Sequence, residues 1–141
     1  MGSRFVKEKL FCSNSIDGLH RLLFLRNAVN LGSSKSLIPN YYSLRHGGNS
    51  KVDALRNWTL QASNDGKNWV VLKRHVNDTS LNGPFAIASW PITDCKQNYS
   101  YFRVLQIGRN SSYTNFLSLS GIELYGELYL DTRKKDGYNS P

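Results

Sequence analysis

The chain lacks most of what membranes, metals and covalent catalysis demand of a sequence. No apolar run approaches the roughly 20 residues needed to span a bilayer; Leu22-Leu23-Phe24-Leu25 is a short patch. The segment Met1 to Leu10 is charged and mixed, without the uninterrupted apolar core of a secretory signal. Met1-Gly2-Ser3 agrees only in part with a myristoylation pattern, and Lys7 and Glu8 lend it little support. A cytoplasmic location is expected. There are two cysteines, Cys12 and Cys95, in unrelated polar contexts, and they read as free thiols rather than a disulfide. The three histidines, His20, His46 and His75, have no second His or Cys at i+3 or i+4, and no Cys-x-x-Cys occurs, so no metal site is expected. Phosphate-cradling and nucleophile-elbow glycine motifs are absent, and neither cysteine has a recognisable base. No cofactor and no enzymatic activity are expected.

Acidic residues are also scarce: 10 Asp and Glu stand against 18 Lys and Arg, a net charge of +8. Such an excess attracts nucleic acid or anionic surfaces when it is concentrated. Here the cations are scattered, and the densest run, Arg133-Lys134-Lys135, sits in a polar tail that reads as disordered. A solvated basic surface is the better reading, with neither nucleic acid nor membrane as partner. Asp53, Asp65 and Asp78 stand where Asp shapes turns, and structural calcium is not expected. Four Asn-x-Ser/Thr sequons begin at Asn57, Asn77, Asn98 and Asn110, which an Asn- and Ser-rich chain produces by chance.

What is present favours strands. Eight Tyr, six Phe and three Trp in 141 residues suit a pleated, half-buried surface in one domain. Strand-like text begins at Ala28-Val29-Asn30 and resumes at Tyr41-Tyr42-Ser43-Leu44-Arg45-His46, with Pro39 expected at a strand start or an edge. Trp58, Leu60 and Ala62 alternate with Thr59 and Gln61; Asn64-Asp65-Gly66-Lys67-Asn68 supplies a turn; Trp69 to His75 returns as a hairpin. Phe85 to Ile92 reads as a further strand. Tyr101-Phe102-Arg103-Val104 and Leu117 to Gly126 read as two neighbouring strands joined by the polar loop Gly108 to Asn115. A one-residue slip at Ser120-Gly121 marks a β-bulge. Residues 16–25 could form a short amphipathic helix or an irregular approach. Short strands at near-regular spacing predict an all-β sandwich.

Five ordered motifs then carry a resemblance: Tyr41 to Gly47, Ala54 to Trp58, Ser63 to Trp69, Ser89 to Ile92 and Leu117 to Gly126. Together they resemble the intracellular branch of the discoidin-like, coagulation-factor type C, galactose-binding-like domains found in a HECT-type E3 ubiquitin ligase and in BTB-domain proteins. The resemblance implies an eight-stranded jelly roll over residues 28–130, with a divergent segment 1–27 and a polar tail 131–141. Such domains usually carry a Trp-rich strand and an Asp ahead of Leu31-Gly32, and residues 1–27 match none of their opening strands. The N-terminal edge of the sandwich is therefore expected to be in question. The implied role is a non-catalytic recognition module for a protein partner; the alternative is a carbohydrate- or lipid-binding domain.

Loops at one end of a sandwich vary cheaply on a rigid scaffold. The candidate binding segments are Gly47 to Asp53, His75 to Leu81 and Arg109 to Asn115. The candidate ligand- or partner-contacting residues are Arg45, His46, His75, Asp78, Arg109, Asn110 and Tyr113. The two histidines end adjacent strands, while Arg109, Asn110 and Tyr113 combine a charge, an amide and an amphipathic ring. Arg56 and Arg103 are expected to bridge the sheets, and Trp58, Trp69 and Trp90 to lie in the core.

Overall fold

In a computed structural model of the chain, residues 3–10 and 26–131 are described, with side chains from residue 28 onward. The amphipathic segment 16–25 and the tail from residue 132 lie outside the described residues. The described part is strands and loops: β1 (Ser3–Leu10), β2 (Arg26–Asn30), β3 (Lys35–His46), β4 (Trp58–Ser63), β5 (Val70–His75), β6 (Ile87–Pro91), β7 (Tyr101–Gln106) and β8 (Leu119–Leu130). They form two four-stranded sheets, ordered β1-β8-β3-β6 and β2-β7-β4-β5, and every pairing is antiparallel. This is a jelly-roll sandwich. Among consecutive described strands only β4 and β5 are neighbours in one sheet; every other connection crosses between sheets.

That topology corrects one expectation. β7 and β8 are not a neighbouring pair, because β7 lies between β2 and β4 while β8 lies between β1 and β3. Residues 107–118, which join them, are too long for a hairpin turn of 2–5 residues and arch from one sheet to the other. The bulge at Ser120 is real. Arg45 pairs with Gly121 and His46 with Leu119, so Ser120 is the extra residue, and its Oγ donates to His46 O at 3.1 Å.

Two further features arise where sequence pattern is faint. Ser3–Leu10 pairs along β8 from Tyr129 to Ile122 and occupies the N-terminal edge, although Lys7-Glu8-Lys9 breaks any alternation. Pro39 lies inside β3 rather than at its start. It is tolerated because β6 pairs only with Tyr41 to Arg45, and the β3–β8 register shifts just after it. Opposite it, a Cβ on Gly126 would fall 2.0 Å from Ile38 O, so the two backbones approach too closely for any side chain.

The core lies between the sheets. Inward positions, two apart in β4 (Trp58, Leu60, Ala62) and β7 (Phe102, Val104) and shifted by the bulge in β8 (Leu119, Ile122, Leu124, Leu128), are buried together with Leu37, Tyr42 and Leu44 from β3. Each such aliphatic side chain stabilises the fold by about 1.5–3 kcal/mol on burial. β4 is buried on both faces. Its outer residue Gln61 lies under Arg103, whose Nε donates to Gln61 Oε1 at 2.7 Å. The Arg103 guanidinium in turn stacks 4.0 Å from the Trp69 ring centre. Trp69 thus caps an outer face instead of entering the core, and Arg103 braces one sheet rather than bridging two.

Candidate functional site

β3, β5 and β7 end, and β4, β6 and β8 begin, at the same end of the sandwich. Loops 47–57, 76–86 and 107–118 therefore form one rim, and all three candidate segments lie on it. Backbone bonds join them: Phe85 N–H to Gly48 O (2.8 Å), Asp78 N–H to Arg56 O (2.9 Å), Ile107 N–H to Asn57 O (2.9 Å) and Ser111 N–H to Ala54 O (2.9 Å). Asn57 links all three loops, donating from Nδ2 to Arg109 O at 2.9 Å and accepting Asn77 N–H on Oδ1 at 2.9 Å. Gly108 packs against it so closely that a Cβ there would sit 2.9 Å from Asn57 Cβ.

The seven candidate residues separate into two groups. His46, His75, Asp78 and Asn110 are structural roots. Asn110 is buried: its Oδ1 accepts Ser112 N–H (2.9 Å) and Thr114 N–H (3.1 Å), while Nδ2 donates to Thr114 Oγ1 (2.8 Å) and Phe116 O (3.0 Å) and lies 3.4 Å from Asp53 Oδ1. A short amide satisfies both N–H and C=O groups of a loop at once. That is why this position is interior, not solvent-facing.

His75 is buried against Trp58, with ring centres 4.0 Å apart and planes 10° from parallel. Its Nδ1 lies 2.8 Å from Asp78 Oδ2, its Nε2 lies 2.5 Å from the Tyr42 hydroxyl, and Trp58 Nε1–H donates to that hydroxyl at 3.1 Å. A carboxylate only accepts, so Nδ1 carries the hydrogen and Nε2 accepts from Tyr42. The chain of donors runs Trp58, Tyr42, His75, Asp78. Burial lowers the His75 pKa from its ordinary value, outweighing the Asp78 carboxylate beside it. Burial also raises Asp78, but hydrogen bonds from Ser80 and His75 prevail and hold it low. The Tyr42 hydroxyl is pushed far above its usual range by desolvation. His46 is fully buried: Nε2 donates to Ser50 O at 2.8 Å, and Nδ1 has no hydrogen-bond partner. The sequence placed both histidines at strand ends but carried no signal of their burial.

Arg45, Arg109 and Tyr113 face solvent. Tyr113 is 78% exposed at the loop tip and holds φ at 60°, a left-handed conformation that costs a non-glycine residue about 1 kcal/mol or more. The Arg45 guanidinium lies 5.2 Å from the Phe85 ring centre. Of the apolar members of the rim, the sequence reading named Tyr113 alone. Val52, Val76, Phe85, Ile107 and Phe116 stand with it, and the six are among the ten exposed large hydrophobic residues of the described part. Only their failure to fit a strand alternation could have signalled them. Among the described residues no cluster of three His, Cys, Asp or Glu could hold a metal, and no helix is long and apolar enough to cross a membrane.

No protein-family model matches the chain. Among curated proteins it is 47% identical over 105 residues to E3 ubiquitin-protein ligase Ufd4 of Drosophila melanogaster, covering 72% of this chain and 4% of that protein. It is 40% identical over 94 residues to E3 ubiquitin-protein ligase hecd-1 of Caenorhabditis elegans, covering 65% and 4%. A BTB/POZ domain-containing protein of Arabidopsis thaliana is 34% identical over 103 residues, covering 70% and 12%. The chain thus spans a small part of each relative. Among solved structures, chitosan-binding module 1 of a chitosanase/glucanase from Paenibacillus sp. IK-5 superposes with a TM-score of 0.46 at 20% identity, covering 88% of this chain and 95% of that one. Ordered motifs, jelly roll and relatives agree: the chain is similar to a segment of two HECT-type E3 ubiquitin ligases and of a BTB-domain protein, consistent with a discoidin-like, galactose-binding-like domain.

Proposed function

We propose that this domain is a non-catalytic recognition module that works in the cytoplasm, in a ubiquitin-ligase or BTB-adaptor setting, and holds a protein partner at the loop rim. One observation carries the reading. Three loops are welded into a single surface by backbone and Asn57 hydrogen bonds, and that surface keeps six of the ten large apolar side chains left in solvent among the described residues. A preorganised apolar rim loses little loop entropy when a partner docks.

The chemistry of the rim supports binding over catalysis. The His75–Asp78 pair has the geometry of a base and its orienter, but His75 Nε2 is already filled by the buried Tyr42 hydroxyl. At the other end of the sandwich, burial raises the Cys95 thiol above its ordinary value, which makes it a poor nucleophile, and its sulfur donates to Gln97 O.

The test is site-specific photo-cross-linking in cells. A benzophenone amino acid placed at Tyr113 is expected to give a discrete protein adduct, and the same group at Lys67, on the opposite end, none. A folded domain that gives no adduct from Tyr113 overturns the reading.

A further inference from the structure

Charge separates the rim from an ordinary apolar patch. Its three loops contain two carboxylates, Asp53 and Asp78. Asp53 is buried and Thr114 Oγ1 lies 3.3 Å from its Oδ1; Asp78 is taken up by His75 and Ser80. The cations turn the other way. Lys51 and Arg109 are exposed on the loops, with Arg45 exposed just below them. Arg56, half-buried in loop 47–57, keeps a buried Nε with no hydrogen-bond partner. A buried donor left unsatisfied is costly, and a guanidinium pairs best with carboxylates through its planar fork. On the same loops Val52, Phe85, Ile107 and Tyr113 are exposed, with the Arg45 guanidinium 5.2 Å from the Phe85 ring centre.

We infer that the rim docks an acidic protein segment, one whose Asp and Glu side chains alternate with Leu or Phe anchors. The inference rests on the partner-binding reading above and adds the partner's chemistry to it. Apolar anchors supply contact area that survives salt, while the surrounding cations select sequence and speed encounter. Arginine predominates over lysine among these cations, as planar recognition of carboxylates favours.

The test uses the full chain and a fluorescent octapeptide in which Glu-Asp pairs alternate with Leu-Phe pairs. Binding is expected, weakening by about tenfold or more as salt rises from about 50 to about 300 mM. The Lys51→Glu/Arg109→Glu variant, and a matched peptide carrying Gln and Asn, should each lose about tenfold. Because both substituted side chains are exposed, an unchanged circular-dichroism spectrum separates lost binding from lost folding. Equal binding of the neutral peptide, or indifference to charge reversal, overturns the inference. So does sedimentation with phosphatidylserine vesicles in place of peptide binding, or a dimer that Tyr113→Ser dissociates. A Tyr113 cross-link that survives excess acidic peptide removes the acidic chemistry and leaves partner recognition standing; loss of both cross-link and peptide binding removes both.

Discussion

At the rim, carboxylates turn inward and six large apolar side chains stay in solvent. At the opposite end, loops 31–34, 64–69 and 92–100 expose Asp65, Lys67, Asp94 and Lys96 and carry no exposed large hydrophobic residue among those described. The two ends also hold their loops differently. Asn110 works from the interior, whereas Asp65 works at the surface, accepting Lys67 N–H (2.8 Å) and Asn68 N–H (2.7 Å). The Asn68 and Lys67 amides hold the Asp65 carboxyl well below the usual carboxylate range. A 380 Å³ hollow beside it is lined by Ser36, Asn64, Asn98 and Ser100, whose polar groups already bond one another or neighbouring backbone. The difference teaches that a loop can be polar in composition and yet be either a solvated cap or a rigid platform. Which one it becomes depends on whether its amides point in or out.

The sharpest way to break this contrast is Asn110→Ala. It strands Ser112 and Thr114 N–H and Phe116 C=O in a partly buried setting, and should cost about 1–3 kcal/mol, read from chemical denaturation. A loss as small as a surface substitution would make the rim another solvated cap. Next comes acid. Because His75 titrates below its ordinary 6.5 in the folded state, the folded state binds fewer protons than the unfolded state as pH falls. Its contribution is therefore complete above pH 6.5 and is lost as pH falls from there towards the folded value. The low Asp78 pKa extends the loss into the carboxylate range. Denaturation midpoints at pH 7.5 and 5.5 should show the fall, and His75→Gln should flatten the upper part of it.

Those two residues also mark where sequence reading stops. Alternation in β4 and β8, the turn at Asp65-Gly66 and the slip at Ser120 are local patterns, and local patterns were legible. Which sheet β7 and β8 enter is decided by packing over residues 107–118, and no period records it. Asn110 and His75 were picked as polar residues near loops, but composition does not distinguish an amide facing solvent from one serving buried backbone. The apolar half of the rim, Val52 and Phe85 among it, was not singled out, because an apolar residue in a loop reads as stray core and Phe85 read as the start of a strand.

Smaller effects sharpen the comparison. Tyr113→Gly relieves the left-handed strain and should raise stability by about 0.5–1 kcal/mol, read from the denaturation midpoint. Asp65→Asn keeps an oxygen for the Lys67 and Asn68 amides. It removes the Oδ2 acceptor of Asn68 Nδ2–H and the charge those hydrogen bonds favour, so it should lower the neutral-pH midpoint slightly and leave the rim adduct untouched; an effect on the adduct would show that the two ends communicate.

The Asn110 side chain has a consequence for where the chain can mature. Asn110-Ser111-Ser112 is an acceptor sequence, and glycan transfer requires a free amide nitrogen. In the folded domain that nitrogen is spent on Thr114 Oγ1 and Phe116 O. A glycan added before folding would wedge the 107–118 arch open, and one offered afterwards would find no acceptor. Routed through a glycosylating compartment, the chain would race its own modification; folding elsewhere, it faces no such competitor.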